Sequence, residues 1–397
     1  VNRRLFDKYL RRQTFPAVFE PALPPAGRFR HAVVIPVLDE EQTLPAALRS
    51  LPAADEVLVL LVVNNQSTTP PAKIAANLRL LAALRQRSLP LPAAVWARLF
   101  WLDAASPGRE LPGGGVGMAR KIGCDSILPF IASPVAAAES LLFMLDADTL
   151  VEPDYFAVVC AEMARRPQWA GATLEVAHQP AANPAEQRAI DAYEDYLAYY
   201  AAGLAWAGSP YAQIAIGSAL VARVDSYIAC GGMRPRAAGE DFYFAQALRK
   251  IGPLGRIAAT RVHPSSRPSD RVPFGTGPRI RALAGGEALR FHHPRIFGLL
   301  KELYEALAGG DWQKAPVMPP PVAAFLEAEQ FEKTWQTILK NTAPSPAARK
   351  AAFDCWFDGL KTLRLVHFCE NNDRTLAPLA AEDAWNGLRK MGYQGPK

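Results

Sequence analysis

The chain has no apolar stretch reaching the roughly 18–20 residues that a membrane span needs. Its 5 cysteines, Cys124, Cys160, Cys230, Cys355 and Cys369, show no CxxC spacing. Neither a disulfide framework nor a zinc site is therefore implied. The opening segment Val1-Asn2-Arg3-Arg4-Leu5-Phe6-Asp7 lacks the apolar h-region of a signal peptide. Internal repeats are absent too. The net charge of +6 over 397 residues is mild and does not point to nucleic acid. These lacks lead to the expectation of a reduced, cytoplasmic protein that binds no nucleic acid and has no transmembrane segment. Peripheral contact with a membrane stays open.

What is present belongs to an ordinary globular chain, with 50% hydrophobic and 21% charged residues. Its 35 prolines cluster between periodic segments, as short stiff connections would. Residues 1–30 are basic and proline-punctuated and read as a surface arm. From His31 the pattern becomes strand-like through Val33, Val34, Ile35, Pro36 and Val37, and Thr43 stands where a helix cap belongs. A second strand, Val57 to Val63, stops at Asn64-Asn65-Gln66-Ser67-Thr68. A helix over 71–87, an aromatic strand near 95–102 and a helix opened by Gly113-Gly114-Gly115-Val116-Gly117 come next. Alternating strands and helices predict an α/β fold with a mostly parallel central sheet, whose ligands sit beyond the carboxyl ends of the strands. Residues 184–206 read as a helix bearing Tyr193, Tyr196, Tyr199 and Tyr200, with packing as the simpler role for those rings. Residues 296–397 read as an all-helical extension with proline breaks at 316–321 and 343–346. Its tryptophans Trp312, Trp335, Trp356 and Trp385 are expected in a core, and His292-His293 carries no assigned chemistry.

Leu141-Leu142-Phe143-Met144-Leu145 runs straight into Asp146-Ala147-Asp148. A short, continuous apolar run reads as a strand buried on both faces. Residues i and i+2 of extended chain point the same way, so Asp146 and Asp148 can share one face. Two carboxylates there make a hard-oxygen site for Mg²⁺ or Mn²⁺, which would bridge to a phosphorylated ligand. The plainer reading ends the strand at Asp146 and caps a helix with Asp148. Gly239-Glu240-Asp241-Phe242 is the second acidic site. Its two acids fall in the first turn of a helix, where the macrodipole favours negative charge, and a carboxylate in a cleft can act as general base toward an alcohol. Simple helix capping is the alternative. Residues 256–295 hold eight arginines against Asp270 and Glu287. Within them Arg267 and Arg271 either clamp phosphate with their guanidinium forks or belong to a solvated loop. Phe274-Gly275-Thr276-Gly277 beside them suggests close backbone approach to a ligand or a mobile lid.

Taken in order, Val33-Val34-Ile35-Pro36-Val37-Leu38-Asp39-Glu40-Glu41, Asn64-Asn65-Gln66-Ser67-Thr68, Gly117-Met118-Ala119-Arg120-Lys121-Ile122-Gly123, Asp146-Ala147-Asp148 and Gly231-Gly232 before Gly239-Glu240-Asp241 resemble the family-2 glycosyltransferases of the GT-A fold. The resemblance covers roughly residues 30–255. It implies that a sugar moves from a nucleotide-diphosphate sugar to an acceptor hydroxyl, with inversion and a divalent metal, Mn or Mg. It assigns the donor's base and ribose to Pro36, Val37, Asp39, Glu40 and Asn65, and donor support to Arg120. Asp148 and Asp146 would hold the metal on the diphosphate, with His263 as third ligand and Asp146 also reaching the ribose. Arg267 and Arg271 then face the donor diphosphate or an anionic acceptor. Asp241 becomes the general base, and Glu240 orients that base or binds the acceptor. Asn64-Asn65 departs from the family's frequent acidic pair, and Arg120-Lys121 from its commoner Arg-Asn. An asparagine amide still hydrogen-bonds a uracil edge.

The implied organisation is an arm over 1–30, a catalytic domain over 31–255, an arginine-rich lid segment over 256–295 and a helical extension over 296–397. The nucleotide-sugar half of the catalytic domain covers about 31–150 and its acceptor half about 151–255. The acceptor class stays open among a saccharide, a lipid-linked glycan and a small hydroxylated metabolite. A nucleotidyltransferase would share the metal strand but lack the late Glu-Asp pair. A non-catalytic nucleotide-binding protein would have no use for intact Asp146, Asp148 and Asp241.

Overall fold

The computed structural model describes residues 3–12, 15, 18–236, 238–267, 276–309 and 317–395. They form two compact units, the first from residues 1–187 and 215–281, the second from residues 188–214 and 282–397. The first holds nine strands in one mixed sheet: β1 (Phe19–Glu20), β2 (His31–Val37), β3 (Val57–Asn64), β4 (Leu99–Ala104), β5 (Leu141–Met144), β6 (Leu150–Val151), β7 (Gly171–Val176), β8 (Leu220–Arg223) and β9 (Leu254–His263). Their order is β1-β4-β3-β2-β5-β8-β7-β9-β6. The centre, β4-β3-β2-β5, is parallel throughout. β8 runs antiparallel to both neighbours, and short antiparallel strands close the two edges.

The central strands read as unbroken apolar runs because helices cover both faces. On one face Ala32, Val34, Leu58, Leu60, Val62, Leu142 and Met144 pack with Ala119, Ile122 and Ile127 of the helix Gly115–Ile131 and with Leu248 of the helix Glu240–Ile251. Val33, Ile35, Val59, Leu61, Val63 and Phe143 point the other way, toward the helices Leu44–Ser50, Pro71–Arg85 and Tyr155–Arg165. The period of two along each strand thus builds a three-layer α/β/α unit.

Two local expectations shift. Residues 95 and 96, expected at the head of an aromatic strand near 95–102, close one helical turn, Ala93–Trp96, and β4 starts only at Leu99. Pro92 precedes the turn in extended conformation (φ −60°, ψ 150°), and its carbonyl accepts the Val95 and Trp96 N–H groups at 3.0 and 3.1 Å. The expected arm contains a helix, Arg3–Leu10, whose Phe6 and Tyr9 are buried.

The second unit is helical. The helix Pro184–Trp206 runs into it, and Pro294–Gly309, Pro320–Ala328, Phe331–Asn341, Pro346–Trp356, Gly359–Asn372 and Ala381–Lys390 complete it. Four of these begin on proline, where the missing N–H costs no hydrogen bond. Tyr199, Phe297, Trp335, Phe353, Phe357 and Trp385 fill its core, and Trp356 packs against it. Trp312 lies outside the described residues. His292, with no expected chemistry, joins Glu370 at 2.6 Å and the Tyr196 hydroxyl at 2.8 Å within this core.

Candidate active site

β2, β3 and β5 are parallel, so their carboxyl ends lie on one edge of the sheet. β2 runs out into Leu38-Asp39-Glu40. Asp39 takes a left-handed conformation (φ 58°), and its N–H donates to Asn77 Oδ1 at 3.0 Å. Asn77 sits on the sheet-facing side of the helix Pro71–Arg85 and donates in turn to Asn64 O (2.8 Å) and Asn65 Oδ1 (3.2 Å). Asn64 Nδ2 donates back to Val37 O at 3.1 Å. One buried amide therefore fixes two strand ends together. The Asn65 side chain is 2% exposed, and its Nδ2 has no hydrogen-bond partner among the described residues. An unpaired buried donor costs about 1–3 kcal/mol, so this N–H is suited to a ligand acceptor oxygen.

Arg120, from the helix Gly115–Ile131, is buried between the two acidic motifs. Its Nη1 donates to Glu240 and its Nη2 to Asp146. Two glycines make room for this arrangement. A Cβ on Gly217 would fall 2.4 Å from Arg120 Nη2, and one on Gly117 would fall 2.5 Å from Arg236 O. Gly239 precedes Glu240 in the left-handed region (φ 69°), which turns both acids into the first turn of the helix Glu240–Ile251. Burial pushes the Glu240 and Asp241 carboxyls above the usual carboxylate range, against the downward pull of the Arg120 charge. Asp241 Oδ1 accepts the Phe242 N–H at 2.7 Å.

Glu40 is 3% exposed and held from two sides, by the Thr43 hydroxyl and by Arg267 Nη2. The expected cap Thr43 stands at the N-cap position but spends its hydroxyl on Glu40 and caps nothing. Arg267 Nη2 also lies 3.3 Å from Asp148 Oδ2, joining the β2 end to the acidic segment after β5. His263, at the end of β9, places Nδ1 2.8 Å from Ala177 O and Nε2 2.9 Å from Glu152 Oε1. Gln179 Nε2 bridges Asp148 O and His263 O, at 2.8 Å each.

The expected donor residues fall into three hydrogen-bonded groups at the strand ends: Val37, Asp39 and Asn65 around Asn64 and Asn77, Glu40 with Arg267 and Asp148, and Arg120 with Asp146 and Glu240. Pro36 lies in β2, and Arg271 lies outside the described residues. The expected metal ligands are not gathered. Among the described residues, the one group of three His, Cys, Asp or Glu side chains with ligand atoms within 4.8 Å is His31, Glu56 and Cys160. Asp146 faces Arg120, Asp148 faces Arg267, and His263 faces Glu152. The donor set still fits a hard cation by its chemistry, since Asp146 and Asp148 offer carboxylate oxygens. Among the described residues, Arg120 pairs with Asp146 and Glu240, and Arg267 with Glu40 and Asp148.

Asn77, Gln179 and Glu152 escaped the sequence reading. Asn77 had a usable signal, an asparagine one helical step from the apolar positions Ala76, Leu80 and Leu81. The other two had none.

No family model matches the chain, and no curated protein does. Solved structures similar to it include S. aureus TarS, at 10% identity and TM-score 0.35 over 70% of this chain and 72% of that one. TarS in complex with UDP-GlcNAc aligns at 10% identity and TM-score 0.38, over 91% of each chain. The mannosyltransferase PcManGT from Pyrobaculum calidifontis, in complex with GDP-Man and Mn²⁺, aligns at 15% identity and TM-score 0.35, over 91% of this chain and 93% of that one. With scores below 0.5, none of these likenesses identifies an activity.

Proposed function

We propose that the chain is a glycosyltransferase of the GT-A type, family 2, that moves a hexosyl group from a nucleotide-diphosphate sugar to an acceptor hydroxyl. One observation carries the reading. A buried arginine, Arg120, ties the strand-end Asp146 to the helix-start Glu240, so that the two acidic motifs belong to one site. The unpartnered Asn65 Nδ2 supports recognition of a base carbonyl beside Pro36, Val37 and Asp39.

The carboxylate oxygens of Asp146 and Asp148 support a divalent cation, Mn²⁺ or Mg²⁺, because hard cations take oxygen ligands and bridge to phosphate. Asp148 would hold it, with Asp146 and His263 as further ligands through an oxygen and Nε2. When bound, the cation offsets the charge that develops on the leaving nucleoside diphosphate. Arg267 would exchange its carboxylate partners for phosphate oxygens, which match its fork, and Arg271 would assist.

Asp241 takes the acceptor's proton. Its Oδ1 is occupied by the Phe242 amide, so Oδ2 is the oxygen that receives it. Glu240, neutralised by Arg120, holds the turn that aims Asp241. Attack in line with the departing diphosphate inverts the anomeric carbon. We propose for the chain an arm over 1–30, a catalytic domain over 31–255, an arginine-rich loop or lid segment over 256–295, whose residues 256–263 belong to β9, and a helical extension over 296–397. The five free cysteines support a reducing, cytoplasmic setting.

Thermal unfolding with UDP, GDP and their sugars, each with Mn²⁺, tests this. The melting temperature is expected to rise with one nucleotide class, and Asp148→Ala should abolish the metal-dependent part. Asp241→Asn should keep the rise but slow release of nucleoside diphosphate from the donor by about 10²–10⁴-fold. No rise with any nucleotide refutes the reading, and loss of the rise in Asp241→Asn removes that residue from the role of base.

A further inference from the structure

Most of the chain's net charge of +6 is concentrated at its beginning. Residues 1–30 hold seven lysines and arginines against Asp7 and Glu20. The helix Arg3–Leu10 turns its rings Phe6 and Tyr9 inward and leaves Arg3, Arg4, Leu5 and Lys8 exposed. Arg11 and Arg12, in the turn that follows, are exposed as well. Arg4 and Lys8, four apart, stand on one face of the helix. Asp7 is the only acid in this stretch, and it lies 3.8 Å from Arg3.

The helix is pinned. The Tyr9 hydroxyl donates to Asp125 Oδ1 at 2.7 Å, beside Tyr227 at 2.8 Å on the same oxygen and Lys121 at 2.6 Å on the other. Gly232 leaves the space for Tyr9, since a Cβ there would lie 1.9 Å from the hydroxyl. Asp125 belongs to the helix Gly115–Ile131, which also carries Arg120. The cationic face is therefore held in a fixed orientation on the unit that contains the candidate site, and binding through it orders little that is not already ordered.

We propose that this face docks the protein on an anionic lipid surface. Clusters of four to eight lysines and arginines on an amphipathic helix have the charge density that phospholipid headgroups attract. The exposed Leu5 among the cations fits an interface of headgroup and acyl chain. A single-stranded nucleic acid fits less well, because the helix's two rings are buried and leave nothing for bases to stack on. That a surface-borne acceptor would thereby come near Asp241 rests on the proposed function, whereas the docking does not.

Co-sedimentation of the full chain with vesicles tests it, with no donor or activity required. Vesicles of equal parts phosphatidylglycerol and phosphatidylcholine should carry the protein down at about 0.1 M salt, and release it at about 1 M, where the Debye length falls from about 10 Å to about 3 Å. Pure phosphatidylcholine should not bind. The variant Arg4→Gln, Lys8→Gln, Arg11→Gln keeps Phe6, Tyr9 and good helix formers, and each lost charge should weaken binding about fivefold. A control with Lys333→Gln, Lys340→Gln and Lys390→Gln loses the same net charge at exposed positions elsewhere and should bind as wild type does. Equal loss in the control, equal binding to phosphatidylcholine, or retention on heparin without any vesicle binding would each overturn the proposal. The last would make a soluble polyanion the partner.

Discussion

His31 and Asn65 are buried polar side chains at opposite ends of neighbouring strands, and their hydrogen bonds set them apart. Asn65 Nδ2 has no partner among the described residues, at the edge where a ligand is expected. The Nδ1 of His31 accepts the Leu141 N–H at 3.1 Å, so the proton of the neutral ring sits on Nε2. A protonated nitrogen offers a metal no lone pair, so the grouping of His31 with Glu56 and Cys160 is not a ligand set in this tautomer. Burial, aided by the Arg30 charge, pushes the His31 pKa down to about 4 from 6.5. Between these two values the unfolded chain binds a proton that the folded chain refuses. The stability contributed by neutral His31 is thus complete above pH 6.5 and lost as the pH falls toward 4. The loss should amount to about 3 kcal/mol. Urea unfolding at a series of pH values should show it in wild type and a flatter acid limb in His31→Gln. Equal slopes would mean that His31 takes up its proton in the folded state.

At the scale of elements, the helix Gly115–Ile131 shows how packing and site share residues. Gly123 lets it lie directly on the sheet, since a Cβ there would meet Val34 Cγ1 at 2.5 Å and Val62 Cγ2 at 2.7 Å. Gly123→Ala must push the helix away from β2 and β3 and should cost about 1–3 kcal/mol, the usual range for overpacking. Chemical denaturation would measure it, and a stabilised variant would contradict the packing described. The elements themselves were largely legible. The helix Pro184–Trp206 has the span its sequence indicated, and β3 runs one residue beyond the expected Val57 to Val63, to Asn64. The turn at residues 93–96 was hidden because four residues carry no period. Thr43 was legible as a cap by type and position, yet its hydroxyl found a stronger acceptor in Glu40.

Across the whole molecule, protection should follow the sheet order. β2 and β3 each pair on both sides and are buried along their length, while the two-residue strands β1 and β6 stand at the sheet's edges. Amide hydrogen exchange in the first unit should be slowest at Val33–Ile35 and Val59–Val62 and fastest at β1 and β6. Slower exchange at the edges than at the centre would refute this order. The sequence by itself determined the alternation of strands and helices, the helical character of the described residues from 296 onward and the acids standing where an apolar strand runs out. Each of these is written in local periodicity, two for strands and 3.6 for helices. Only the tertiary structure decided that Arg120 joins Asp146 to Glu240, that Arg267 joins Glu40 to Asp148, and that His263 turns to Glu152. Arg120 and Glu240 are 120 residues apart, and Arg267 and Glu40 are 227 apart. Such pairs depend on which strand lies beside which, and no local pattern encodes that order.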